Sequence, residues 1–245
     1  VQMLPLVFVQ SLDLDVEQRV RVGEGIVQAQ PLARMSAEID EECVHAAPAD
    51  LDADGKLDMV VTNGGPMSNA VSIWLGNGDG SFREPTDYST GRRPLGVSFA
   101  DFNNDHHRDL LVINGEKDSF TTFLGNGNAT FRSGKDSGAD AGPNFGLARD
   151  FNGDRIEDVA IVNLQSNDLS ILFGKGDGTF HYPPRNYRTK SGPFALSSFH
   201  VITSALEEPG LAVADNGSGS VSIFLHRGLK SVATSKARES DASNR

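Results

Sequence analysis

Asp50-Leu51-Asp52-Ala53-Asp54-Gly55-Lys56-Leu57-Asp58 sets aspartates at the first, third, fifth and ninth places of one short loop. Two later stretches keep Asp at places one, five and nine. They are Asp101-Phe102-Asn103-Asn104-Asp105-His106-His107-Arg108-Asp109 and Asp150-Phe151-Asn152-Gly153-Asp154-Arg155-Ile156-Glu157-Asp158. An apolar run ending in Asn follows each at once: Met59 to Asn63, Leu110 to Asn114, Val159 to Asn163. A fourth run in the same phase, Leu211-Ala212-Val213-Ala214-Asp215, follows a decayed loop that keeps only Glu207 and Glu208. Spacing of about fifty residues between copies marks a repeat.

Two more landmarks recur in register. Val71-Ser72-Ile73-Trp74-Leu75-Gly76-Asn77-Gly78-Asp79-Gly80-Ser81-Phe82 matches Phe120 to Phe131 and Leu169 to Phe180, and Val221 to Gly228 keeps its first half. A Gly/Pro stretch opens each unit from the second onward, at Pro94, Gly142-Pro143 and Gly192-Pro193. The runs are short, rich in Val, Ile, Leu and Phe, and alternate. Gly-Asn-Gly-Asp-Gly supplies the positive-φ positions of a hairpin. Each unit therefore reads as strand, acidic loop, strand, turn, strand, Gly-rich turn, strand. The fold class is all-β, in β-propeller blades of about 50 residues each. A blade cannot bury both faces alone, so neighbours must stack on it.

From about His45 to Gly228 this pattern resembles the FG-GAP/VCBS repeat family, the blades of integrin α-chain propellers and of many secreted bacterial proteins. Its specific mark is the Asp-x-Asp-x-Asp-Gly-x-x-Asp loop leading into an apolar strand. The resemblance implies calcium-bearing β-propellers used in adhesion, in glycan binding or as modules beside enzymes.

The loops themselves point to the same ion. Ca²⁺ takes about 6–8 oxygens from carboxylates and backbone carbonyls. Asp50, Asp52, Asp54 and Asp58 supply side chains, with the carbonyl of Lys56 at position 7. Asp101, Asn103, Asp105 and Asp109 with His107, and Asp150, Asn152, Asp154 and Asp158 with Ile156, form the second and third sets. The expected cofactor is thus Ca²⁺ at three sites, one per intact loop. Loop 1 has the most carboxylates and keeps Gly55, so it should bind most tightly; the fourth loop should bind nothing. An EF-hand needs Glu at place 12, where Val61, Val112 and Ile161 stand. The bland alternative is a set of Asx-turns between strands.

Composition narrows the function further. Lys and Arg total 22 against 33 Asp and Glu, a formal charge of -11, which disfavours a phosphate backbone or an anionic membrane surface. No apolar run reaches the ~18 residues of a membrane span. The lone Cys43 excludes an intrachain disulfide and a cysteine-built zinc site. Gly76-Asn77-Gly78 and Gly174-Lys175-Gly176 do not complete a dinucleotide fingerprint and read as turns. His106 and His107 are adjacent surface loop residues, and no nucleophile elbow is present. Phe82, Phe131, Phe180 and Trp74 recur in phase and read as core. Tyr88 and Tyr187 are candidates for a ligand face, and Asp136 reads as an ordinary surface carboxylate.

The expected function is a non-enzymatic, extracytoplasmic calcium-binding module for adhesion or protein interaction. The alternative is a lectin-like glycan-binding module or an accessory domain of a secreted carbohydrate-active enzyme. Partners are a protein or glycan, without nucleic acid or membrane insertion; the location is extracellular, cell-surface or periplasmic, although no export signal is evident. Residues 1–44 lack the landmarks and read as a degenerate blade, a short helix or, in preference to these, a poorly ordered lead; 229–245 read as a loose polar tail. Four units, the last without its outer strand, suit an incomplete propeller better than a closed ring. Open blade faces leave room for self-association.

Overall fold

The computed structural model describes residues 19–22, 25–28, 43–65, 67–202, 207–225 and 230–232, and their side chains at 44–65, 67–200 and 209–225. Strands β1 (Arg19–Val22) and β2 (Gly25–Gln28) form a hairpin. The rest of the expected lead, up to Cys43, lies outside the described residues.

Four antiparallel sheets follow, each of four strands in chain order. Sheet 1 holds β3 (Cys43–Ala49), β4 (Asp58–Asn63), β5 (Ala70–Trp74) and β6 (Thr86–Ser89). Sheet 2 holds β7 (Pro94–Ala100), β8 (Asp109–Asn114), β9 (Ser119–Phe123) and β10 (Lys135–Gly138). Sheet 3 holds β11 (Pro143–Arg149), β12 (Asp158–Asn163), β13 (Asp168–Leu172) and β14 (Arg185–Arg188). Sheet 4 holds β15 (Pro193–Ile202), β16 (Glu207–Asp215), β17 (Ser220–Leu225) and β18 (Lys230–Val232). The expectation that the fourth unit lacks its outer strand fails: Lys230 to Val232 pair with Ile223 to Leu225. That strand lies inside the stretch expected as a polar tail and carries no Gly-rich Phe landmark to mark it.

Alternation sets the stacking. On β8, Leu110 and Val112 face sheet 1 and join Val60, Val71 and Ile73 in one cluster. Leu111 and Ile113 face the other way and meet Val159 and Ile161 of β12. Ala160 and Val162 in turn meet Leu211 and Val213 of β16. Every junction therefore lays the first and third side chains after the loop onto the second and fourth of the preceding sheet. The core runs between sheets as three such clusters, and among the described residues none of them joins sheet 4 to sheet 1. Tyr88 and Tyr187 belong to these junctions and not to a ligand face. Tyr88 packs edge-on against Phe123 and Phe131 of sheet 2, and Tyr187 against Phe224 of sheet 4.

A polar ladder crosses each of sheets 1 to 3 at the end opposite the acidic loops. Asn114 donates from Nδ2 to Thr121 Oγ1 at 2.8 Å, and Thr121 donates to Asp136 Oδ1 at 2.6 Å. Asn63, Ser72 and Asp87 repeat it, as do Asn163, Ser170 and Asn186. This explains the Asn that closes each apolar run, and it makes Asp136 a structural acceptor where a plain surface carboxylate was expected. Thr121→Val keeps the shape but strips both partners. We expect a loss of about 1–3 kcal/mol, seen as a midpoint shift in urea unfolding; an unchanged midpoint would remove the ladder from the account.

Candidate metal loop

The acidic loops join the first strand of each sheet to the second and share one backbone path. Position 4 is left-handed in each, at Ala53 (φ 59°), Asn104 (58°) and Gly153 (86°). Position 6 is left-handed too, at Gly55 (82°), His106 (67°) and Arg155 (68°). Side chains at His106 and Arg155 are held in this costly region because the position 1 carboxylate captures their N–H groups. Asp50, Asp101 and Asp150 accept the position 6 N–H at 3.0, 2.8 and 2.8 Å through Oδ2.

Position 9 is the buried carboxylate of each loop, and it ties the loop to a second segment. Asp58, Asp109 and Asp158 are 2%, 0% and 0% exposed. Through Oδ2 each accepts the N–H of position 2: Leu51 at 2.9 Å, Phe102 at 2.8 Å and Phe151 at 2.9 Å. Through Oδ1 each accepts the N–H of the Gly opening the Gly-rich turn: Gly76 at 2.9 Å, Gly125 at 2.8 Å and Gly174 at 2.9 Å. These glycines are seated so closely that an added Cβ would lie 2.1–2.3 Å from the carbonyl oxygen of Leu57, Arg108 or Glu157. Leu51, Phe102 and Phe151 are buried plugs in the junction clusters. Each loop thus grips its own Gly-rich turn, and the carbonyls of Leu51 and Phe102 reach the next sheet, accepting from Ala129 at 3.2 Å and Gly178 at 3.1 Å.

Sequence reading missed both the plug and the Gly seat. Their signal was present as an apolar position 2 and a Gly recurring in phase. Spacing places the Gly in a turn and says nothing of the side chain at position 2.

Loop 1 differs from the others at the remaining oxygens. Asp50, Asp52 and Asp58 bring one carboxylate oxygen each within 4.8 Å of one another, the one such group of three or more among the described residues. Asp50 Oδ1 is buried and accepts no hydrogen bond. In loop 2 the matching Asp101 Oδ1 accepts from Asp105 N–H at 3.1 Å. In loop 3 Asp150 Oδ1 accepts from Asn152 at 3.2 Å and Gly153 at 2.6 Å. Asn103 and Asn152 donate their amides to Asp105 Oδ2 at 2.8 Å and Asp154 Oδ2 at 2.9 Å, linking positions 3 and 5 internally. Asp54 lies outside the carboxylate group and pairs with Lys56 Nζ at 2.8 Å. At position 7 the N–H groups of Lys56, His107 and Ile156 bond Asp54, Asp105 and Asp154 at 2.8–2.9 Å.

The electrostatics follow burial. Desolvation raises Asp109 and Asp158 to about 6, helped by repulsion from Asp105 and Asp101 or from Asp154 and Asp150, and opposed by the two N–H bonds each accepts. The Lys56 ammonium beside Asp54 holds that carboxyl below the usual range. A free carboxyl titrates near 3.9. Between about pH 4 and 6 an unfolded chain therefore sheds protons that folded Asp109 and Asp158 keep. Their contribution to stability falls as pH rises through that window and is level above it. In chelator, Asp109→Asn should flatten the pH dependence of the melting temperature relative to the parent; parallel curves would contradict the assignment.

Comparison with known proteins agrees with this architecture. Residues 50–112, from loop 1 to β8, match the family model described as FG-GAP-like repeat. No curated protein matches the chain in sequence. Solved structures similar to it include BBS1N in complex with ARL6DN, in lead-soaked and mercury-soaked crystals, at 12% identity and TM-scores of 0.58 and 0.55. The alignments cover 83% and 79% of this chain but 59% and 57% of those chains. The V. cholerae biofilm matrix protein Bap1 aligns at 18% identity and a TM-score of 0.50, over 78% of this chain and 28% of its own. At such identities the likeness is one of fold, and these neighbours are β-propeller proteins. No helix among the described residues is long and apolar enough to cross a membrane.

Proposed function

We propose, for a chain that carries an FG-GAP-like repeat at residues 50–112 within a series of propeller-like blades, that it is an extracellular interaction module stabilised by calcium. The observation that carries this reading is Asp50 Oδ1, a buried carboxylate oxygen without a donor, placed among three converging carboxylates. A buried anionic oxygen lacking a partner is costly. A hard divalent cation satisfies it with the ligand class it prefers. Asp50, Asp52 and Asp58 would hold the ion, with Asp54 and the Lys56 carbonyl completing the set once Lys56 leaves Asp54. Calcium at this place would neutralise the carboxylates and fix Leu51 in the junction with sheet 2.

Loops 2 and 3 fit the ion less well. Binding there requires the Asn103 or Asn152 amide to turn away from Asp105 or Asp154, so weaker sites are expected at Asp101 to Asp109 and Asp150 to Asp158. Extracellular calcium sites with Kd of about 10⁻⁴–10⁻³ M serve such modules. The role is binding and not catalysis, toward a protein or, in the second reading, a glycan. The biofilm matrix neighbour favours a surface or matrix setting.

Melting the chain in calcium and in chelator tests the reading. At calcium one hundred times Kd the gain is about 2.7 kcal/mol, or roughly 5–11 °C for a chain of this size. Asp50→Asn should abolish most of that gain while leaving the melting temperature in chelator equal or higher. An identical calcium response in Asp50→Asn would overturn the assignment to loop 1. Glycan-array binding that survives chelator would favour the second reading.

A further inference from the structure

In each of the three acidic loops a donor from the same loop closes Oδ2 of the position 5 carboxylate, but the donor differs. Asn103 and Asn152, at position 3, donate to Asp105 and Asp154 at 2.8 and 2.9 Å. Loop 1 has Asp52 at position 3, and an ionised carboxylate has no proton to give. Lys56 at position 7 takes over: its ammonium donates to Asp54 Oδ2 at 2.8 Å and its N–H to Oδ1 at 2.9 Å. One residue thus holds both oxygens of Asp54. The Lys56 stem is seated as well, because position 7 lies against the second glycine of the Gly-rich turn in all three units. A Cβ added at Gly78 would come within 2.9 Å of Lys56 Cδ. One at Gly127 would meet His107 Cε1 at 2.5 Å, and one at Gly176 would meet Ile156 Cδ1 at 3.6 Å.

We propose that the Lys56 ammonium is a resident cation that lowers the calcium affinity of loop 1: it occupies the Asp54 corner of the cage and must leave before the ion can use that carboxylate. The inference rests on the calcium reading of loop 1. Asp50, Asp52 and Asp58 converge without Lys56, whereas Asp54 stands apart with its ammonium. A lysine head is a compact, strongly hydrated charge on a flexible stem. An ion pair whose side chains are 38% and 30% exposed is weak, so calcium displaces it, with some loss of affinity. The stem lies on Gly78 and keeps the displaced charge beside the cage, where it goes on repelling a divalent ion. Charge tunes affinity in loops of this kind. Four carboxylates and one ammonium leave residues 50–58 a net charge of -3, and without the ammonium it would be -4.

Calorimetric calcium titration of the whole chain, as parent, Lys56→Met and Lys56→Arg, tests the inference. Melting in chelator shows that both variants fold. The strongest site should tighten about three- to tenfold in Lys56→Met, since the ion then neither opens the pair nor faces its charge. Lys56→Arg keeps the charge and should show no such gain. In an Asp54→Asn background the ammonium has no carboxylate to hold, and the gain from Lys56→Met should shrink. Equal affinity in the parent and Lys56→Met, or an equal gain in Lys56→Arg, would overturn the proposal and leave calcium at loop 1 standing. A gain undiminished by Asp54→Asn would also overturn it, because Lys56 would then act as a distant charge and not by occupying Asp54. The calcium reading fails differently, and takes this inference with it, if neither the parent nor Lys56→Met takes up calcium or if the strongest site persists in Asp50→Asn.

Discussion

Asp109→Ala is expected to cost more stability than any other single carboxylate removal in the second acidic loop. The side chain is buried and is the acceptor for Phe102 N–H and Gly125 N–H at 2.8 Å each. Alanine leaves two buried backbone donors without partners, at about 1–3 kcal/mol apiece. The loop then lets go of both the Phe102 plug and the Gly-rich turn. A fall in melting temperature of roughly 10 °C is expected, measured in chelator so that no ion contributes. Asp105→Ala, whose carboxylate is partly exposed and bonds only within the loop, should cost much less. Equal losses for the two variants would show that position 9 is not the structural tie.

Gly125→Ala tests the other side of the same grip. An added Cβ would sit 2.3 Å from the Arg108 carbonyl oxygen, a backbone atom that cannot swing aside. The turn must move, which stretches the 2.8 Å bond from Gly125 N–H to Asp109 and disturbs the bridge from Gly125 to Phe131. Overpacking of this kind costs about 1–3 kcal/mol, and weakening the bond adds about 1 kcal/mol. Melting should fall by about 5–10 °C. Gly138→Ala is the control, since its nearest contact would be Tyr182 at an ordinary 3.5 Å. A Gly125→Ala protein as stable as Gly138→Ala would mean that the seat is looser than described.

The sequence carried the architecture because the repeat shows itself three times over. Period-2 runs give strands, an acidic or Gly-rich turn separates them, and Leu110 to Asn114 lines up with Val159 to Asn163 without ambiguity. What it hid was direction. Spacing places Asp50, Asp52 and Asp58 in one loop, but it does not say that Asp58 spends both oxygens on backbone N–H groups while Asp50 keeps one unmatched. The Asn substitutions at positions 103 and 152 read as one lost charge each. In the fold they are gained donors that close their loops internally, so three similar motifs become one candidate cage and two self-satisfied turns. Tyr88 was misplaced for a related reason: its distance from the blade Phe gives no sign of which neighbouring sheet it leans on. The outer strand of sheet 4 escaped because Lys230 to Val232 has no landmark of its own.

Calorimetric titration of calcium into the metal-free chain tests the central claim most directly. Saturable binding with one site stronger than the rest is predicted, and that strongest site should vanish in Asp50→Ala but persist in Asp101→Ala and Asp150→Ala. No uptake at millimolar calcium, or a strongest site indifferent to Asp50, would contradict it.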